Sequence, residues 1–155
     1  MKTRIGWREW LVLPELKIPG IKAKIDTGAR TSSLHAFFVE TTSHQGLEMV
    51  RFGVHPLQFR EDVQCICWAP LKERRLVTDS GGHSEERLVI ESPIRLGGLE
   101  HRIELTLTNR DSMKFRMLLG RSALQALGAV VDPCHSYLLG KSLKKAYFNP
   151  RESNL

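Results

Sequence analysis

The residues with the clearest chemical potential form one short run, Lys24-Ile25-Asp26-Thr27-Gly28-Ala29-Arg30-Thr31, in which an apolar strand leads straight into Asp-Thr-Gly. Such a turn can hold a carboxylate and offer it to a polar substrate. Asp26 supplies an acid or a base, Thr27 a hydroxyl, and Gly28 a backbone that another group can approach closely. Taken alone, the tripeptide reads as an ordinary strand-end turn, because all three residue types are common there.

Two further segments give it context. Met117-Leu118-Leu119-Gly120-Arg121-Ser122-Ala123-Leu124 is an apolar strand that ends in glycine and enters the one convincing helix of the chain. Between the two lies Leu76-Val77-Thr78-Asp79-Ser80-Gly81-Gly82-His83-Ser84-Glu85, a polar hairpin tip flanked by strand-like 74–77 and 87–91. It reads as a mobile flap.

Other chemistry has less support. Cys65-Ile66-Cys67 puts two sulfurs on one strand face, and with Cys134 and one of His35, His83 or His101 would give a metal site. The spacing is not that of a Cys-x-x-Cys knuckle, and small buried side chains are the simpler reading. Ser32 and Ser33 have no accompanying His and Asp pattern for a serine nucleophile. Trp7, Trp10 and Trp68 read as core or dimer-contact residues. There is no Gly-x-x-x-x-Gly-Lys loop and no His-Glu-x-x-His helix, so neither ATP nor catalytic zinc is expected, nor any other cofactor.

The elements that must position these residues are mostly strands. Period-two alternation marks 7–13, 21–25, 34–40, 48–54, 63–68, 74–79, 87–91 and 101–108. In the last, Ile103, Leu105 and Leu107 share one face and Arg102, Glu104, Thr106 and Thr108 the other. Pro19-Gly20 predicts a hairpin turn between 16–18 and 21–25, and Gly97-Gly98 a break before the strand at 101. After Gly120, Ala123, Leu124 and Leu127 fall on one helical face, and Gly128 stops the helix. Short connections imply a meander or interlocked hairpins.

With 155 residues, 41% hydrophobic and 26% charged, the chain reads as one domain over 1–155, without linker or repeat. No stretch approaches the roughly 20 apolar residues of a membrane span. Lys2, Arg4, Arg8 and Glu9 argue against a signal peptide. Three cysteines without framework spacing favour reduced thiols and the cytoplasm. A net charge of +6 invites a nucleic-acid reading, yet Lys72-Glu73-Arg74-Arg75 and the run 141–145 carry no interleaved aromatics in sequence. Neither a nucleic-acid partner nor a membrane is expected.

The Asp-Thr-Gly loop, the flap and the apolar-apolar-Gly-Arg segment before a helix, in this order, resemble the retropepsin-like aspartic peptidases over residues 18–139. Gly6-Trp7-Arg8-Glu9-Trp10, with 25–34 and 117–124, narrows the resemblance to a bacterial group labelled putative ATP-dependent zinc proteases. The resemblance implies a closed, mostly antiparallel acid-protease β-barrel with one short helix in its C-terminal half, working as a homodimer. One Asp26 from each copy would share a proton at the two-fold axis and activate water for peptide hydrolysis.

It implies further roles. Thr27 would brace the paired loops across the axis, and Gly28 would present its backbone to substrate. Ala29, Arg30 and Thr31, with Ser80, Gly81, Gly82 and His83 of the flap, would line the cleft, and Leu119, Gly120 and Arg121 would support the loop. In viral members the matching arginine pairs with an acid shortly after Asp-Thr-Gly, where this chain has Arg30 and Thr31. Arg121 is therefore expected to pair with Asp111 or Asp132, or to face solvent. Arg30 near the cleft would favour an acidic peptide, the alternative being a solvated side chain. The bacterial group is often encoded beside ATP-grasp ligases that add glutamates to proteins, which implies a second reading as a non-catalytic regulator or partner of such a ligase. A small nucleic-acid-binding barrel is a third, resting on charge alone.

Overall fold

Strands that alternate in polarity can each bury one face if their sheet curls back on itself, and in the computed structural model, which describes residues 2–78, 81–109 and 114–148, it does. The elements in chain order are β1 (Thr3–Gly6), β2 (Arg8–Leu13), β3 (Ile18–Ile25), β4 (Ser32–Ala36), β5 (Phe38–His44), β6 (Leu47–Val54), β7 (Cys65–Pro70), β8 (Glu73–Thr78), β9 (Ser84–Leu96), β10 (Leu99–Asn109), β11 (Met117–Leu119), α1 (Arg121–Leu127) and β12 (Ala129–Asp132), followed by a 3-10 turn at Lys144–Tyr147. Six strands close a ring, β10-β4-β11-β3-β2-β9 and back to β10, and β8 adds to β9 outside it. Only β10–β4 and β11–β3 are parallel within the ring, so the mostly antiparallel closed barrel with one helix is the fold found.

Leu11, Leu13, Ile21, Leu34, Ile90, Leu105 and Met117 are all fully buried in one continuous core. Each such side chain contributes about 1.5–3 kcal/mol of burial, against roughly 0–1 kcal/mol for a surface ion pair. The barrel interior therefore carries the stability. No helix among the described residues is long and apolar enough to cross a membrane.

Several elements differ from the expectations. Pro19-Gly20 does not turn the chain. The hairpin closes at residues 14–17, where Lys17 takes a φ of 57° and its N–H donates to the Pro14 carbonyl at 3.2 Å. β3 runs straight through Pro19-Gly20, and the pairing slips between Leu13↔Ile18 and Leu11↔Ile21, a bulge that accommodates a proline. The expected strand 34–40 is two strands. The chain leaves the barrel at Phe37, whose N–H donates to the Gly53 carbonyl at 2.9 Å, and continues into a separate sheet, β5-β6-β7. Gly97-Gly98 does break the chain as expected, as the tight connection between β9 and β10, Leu96 facing Leu99, with Gly97 at a φ of 58°. Thr106 and Thr108, on the face shared with Arg102 and Glu104, are buried, and Thr106 Oγ1 donates to the Ser32 carbonyl at 3.4 Å. The parallel pair β1–β12 has no sequence signal of its own.

β8 pairs with β9 from Glu73↔Val89 out to Thr78↔Ser84, whereas β9 leaves β10 at Leu88↔Leu107. The outer part of this hairpin is a two-stranded arm, the counterpart of the expected flap.

Glu9 closes the base of the barrel. It is fully buried, its Oε2 accepts the Gly6 and Leu138 N–H groups at 2.7 and 2.9 Å, and its Oε1 accepts that of Leu139 at 3.1 Å. One carboxylate thus ties β2 to the C-terminal segment. Glu9→Gln puts an amide NH2 against backbone N–H donors and is expected to lower stability by about 1–3 kcal/mol in urea unfolding. An unchanged unfolding midpoint would show that the clamp carries no load.

Candidate active site

Asp26 follows β3 at a point held from both sides. The Ile25 N–H donates to the Trp7 carbonyl and the Asp26 N–H to the Leu119 carbonyl, each at 2.9 Å. The backbone is pinned between the start of β2 and the end of β11. Within the turn, the Gly28 N–H donates to Asp26 Oδ1 at 3.0 Å, and the Ala29 N–H to the Asp26 carbonyl at 3.3 Å. A Cβ at Gly28 would stand 3.2 Å from Asp26 Oδ1, so glycine keeps that oxygen uncrowded. Asp26 is half-buried, while Thr27, Gly28 and Arg30 are exposed.

The loop rests on the β11–α1 junction. At Gly120 a Cβ would lie 2.8 Å from the Thr31 carbonyl carbon and oxygen and 2.9 Å from the Ala29 oxygen, so only glycine fits. The Gly120 N–H donates to Ser32 Oγ at 3.0 Å. The next two N–H groups, of Arg121 and Ser122, donate to the Ala29 and Arg30 carbonyls at 2.8 and 3.0 Å. The Arg121 side chain then reaches back, its Nη1 donating to the Thr27 and Gly28 carbonyls at 3.0 and 3.2 Å.

That contact corrects the expectation for Arg121. It pairs with no acid in the described chain and is not simply solvated. Asp132 is taken by Arg4 at 3.0 Å and His135 at 2.9 Å, and Asp111 lies outside the described residues. The guanidinium bonds carbonyls of the loop instead, which needs no acid after Asp-Thr-Gly.

The structure brings Asp26, Thr27, Gly28, Ala29, Arg30 and Thr31 together with Leu119, Gly120 and Arg121. Gly81, Gly82 and His83 sit exposed at the arm tip, Gly82 at a φ of 84°, and Ser80 lies outside the described residues. Sequence reasoning missed Ser32 as a support, because a buried hydroxyl aimed at a backbone N–H leaves no pattern. It also missed Trp7, whose carbonyl rather than ring meets the Asp26 strand. Trp68 is 51% exposed, so it is not a core residue.

The thiols offer no metal donor set. Cys67 is buried with its Sγ 3.5 Å from the Leu16 carbonyl, and burial pushes its pKa up to about 12 and raises that of Cys65. Cys134 is exposed elsewhere, and among the described residues no three His, Cys, Asp or Glu side chains gather to hold an ion.

Among the described residues only the Gly28 N–H engages the Asp26 carboxylate, and no cation pairs with it. A carboxylate so placed can accept a proton from water or donate one. A single chain provides one such group; water activation with carbonyl polarisation needs two.

Comparison with known proteins agrees with this geometry. A model of the RimB-like family, described as the retropepsin-like aspartic endopeptidase RimB, matches residues 4–142. A probable alpha-L-glutamate ligase of Desulfotalea psychrophila is 45% identical over 150 residues, covering 94% of this chain and 32% of its own length. Another probable alpha-L-glutamate ligase, of Shewanella pealeana, is 46% identical over 140 residues, covering 90% and 30%. The chain thus spans about a third of the length of these relatives. A crystal structure of a Legionella pneumophila protein of unknown function superposes with a TM-score of 0.75 at 25% identity, over 90% of this chain and 99% of that one. The family match takes in β1 and the Gly6-Trp7-Arg8-Glu9-Trp10 segment that buttresses the Asp26 strand. The chain belongs to the RimB-like family of retropepsin-like aspartic endopeptidases.

Proposed function

We propose that this chain is an aspartic-type endopeptidase that works as a homodimer, one Asp26 from each copy meeting at a two-fold axis. The observation that supports this most is the Asp26 carboxylate itself, half-buried on a braced loop and without a cationic partner among the described residues. Two such groups about 3 Å apart cannot both ionise, so they hold one proton between them. The ionised Asp26 takes a proton from a water that attacks the peptide carbonyl. Its protonated partner polarises that carbonyl and then gives its proton to the leaving amine. Thr27, exposed beside the carboxylate, braces the two loops through its hydroxyl, and Gly28 offers its backbone to substrate. Ala29, Arg30 and Thr31, with the arm residues Gly81, Gly82 and His83, border the cleft. Free Cys65, Cys67 and Cys134 support the cytoplasm as the compartment.

Asp26→Asn is expected to reduce peptide cleavage by about 100-fold or more while the dimer mass in light scattering is unchanged. Cleavage at the wild-type rate would end the proposal. Arg30 is exposed and has no carboxylate partner among the described residues, which supports a preference for acidic peptides. Glu-containing peptides are then cleaved faster than their Gln counterparts, and equal rates would remove that preference.

The glutamate-ligase names of the relatives, in which the matched region is about a third of the protein, favour a second reading. Here the chain is a non-catalytic partner or regulator of an ATP-grasp glutamate ligase. Under it, Asp26→Asn would leave the effect on the rate of that ligase intact.

A further inference from the structure

The chain carries 23 Lys and Arg against 17 Asp and Glu, and its basic runs hold no aromatic residue in sequence. Folding supplies the rings. On the outer face of β2–β3 the Arg8 guanidinium lies 4.5 Å from the Trp7 centroid and 5.0 Å from that of Tyr137. The Lys22 ammonium lies 5.5 Å from the Trp10 centroid and 5.9 Å from that of Tyr137. Arg60 covers the Phe148 ring at 4.9 Å. On the β8–β9–β10 side the charges cancel instead, Lys72 lying 2.5 Å from Glu91 and 2.7 Å from Glu104.

Between β3, the loop after β6 and the C-terminal segment lies an open groove of about 660 Å³. Lys22, Lys141 and Lys144 line it with Gln58 and Ser142, and no Asp or Glu does. The polar partner of the Lys22 ammonium is neutral, Gln58 Oε1 at 3.1 Å. Burial and the charge of Arg8 lower the pKa of Lys22, and a polyanion in the groove would relieve both. Phe59, at the edge of the groove, is 81% exposed and takes a φ of 62°. A bulky residue in left-handed backbone is costly, and here the conformation turns the ring toward solvent rather than into the core. Phe148, at the end of the 3-10 turn that carries Lys144, is 50% exposed.

We propose that this groove binds single-stranded nucleic acid, its lysines meeting phosphates and Phe59 meeting the face of an unpaired base. The expectation against a nucleic-acid partner rests on the missing rings, and the fold provides them beside the cations. Lys22 stands on the β3 wall and Lys141 and Lys144 on the C-terminal wall, so a phosphate backbone running along the groove meets positive charge on both sides. The open ring of Phe59 suits any base, because every base has a π-face, but it cannot stack on bases already paired inside a duplex. Gln58 and Ser142 add hydrogen-bonding groups to a concave surface, unlike the continuous apolar face that an anionic membrane would need. None of residues 26–31 lines the groove. Binding there needs neither turnover nor a second chain, so it stands independently of the peptidase reading.

Fluorescence anisotropy with a single-stranded RNA of about 12 nucleotides tests the proposal. The RNA is expected to bind, and a duplex of the same sequence to bind roughly tenfold more weakly. Phe59→Ala should weaken binding of the single strand roughly tenfold, and Phe59→Trp should leave it within about twofold, with the melting temperature unchanged in both. Replacing Lys141 and Lys144 together by Gln should lower the slope of log affinity against log salt by about 1.4, the change for two lost phosphate contacts on a single strand. Should Phe59→Ala melt early, the salt slope of the lysine variant still decides. Failure of the RNA to bind, unaltered affinity in a folded Phe59→Ala, an unaltered salt slope, or a duplex that binds as tightly as the single strand would overturn the proposal. So would phosphatidylglycerol vesicles that bind the protein more tightly than the RNA and lose that affinity in Phe59→Ala.

Discussion

The arrangement depends on one close approach. Where β11 turns into α1, its backbone passes so near the 26–31 loop that a methyl group at residue 120 would overlap two carbonyls. That contact lets three successive N–H groups, from Gly120, Arg121 and Ser122, hold the loop through the Ser32 hydroxyl and the Ala29 and Arg30 carbonyls. It also brings the Arg121 guanidinium within reach of Thr27 and Gly28. An isolated turn of these residues would sample many conformations; here hydrogen bonds hold its backbone while its carboxylate has no counter-ion among the described residues. The loop is rigid in its carbonyls and available in its acid, a combination suited to positioned proton transfer.

Much of this was legible in the sequence because it rests on chemistry that has a pattern. Asp26-Thr27-Gly28 after an apolar strand and Leu119-Gly120-Arg121 before a helix are both local, and the alternation at 101–108 identifies β10 without help. What could not be read depends on contacts distant in sequence. Pro19-Gly20 has the composition of a turn, but β2 holds it as a bulge in a continuous strand, where Gly20 bonds Tyr147 through both its N–H and its carbonyl. Arg121 bonds carbonyls rather than an acid, and carbonyls carry no signature in a sequence. β1 and β12 are four residues each and are defined only by pairing with one another across the whole chain.

The Gly6-Trp7-Arg8-Glu9-Trp10 segment presents two different faces. Its backbone and Glu9 are structural: Trp7 supports the strand that delivers Asp26, and Glu9 joins that support to the C-terminal segment. Its Arg8 side chain points outward, opposite Lys24 of β3, and lies over the Trp7 and Tyr137 rings.

The central claim is that two copies bring their Asp26 loops together to complete one site. The most direct measurement is the separation of the two Asp26 carboxylates in a crystal structure of the dimer. The account expects them about 3 Å apart across a two-fold axis, with Thr27 of both copies at the same contact. A dimer in which the two loops lie on separate faces would contradict it.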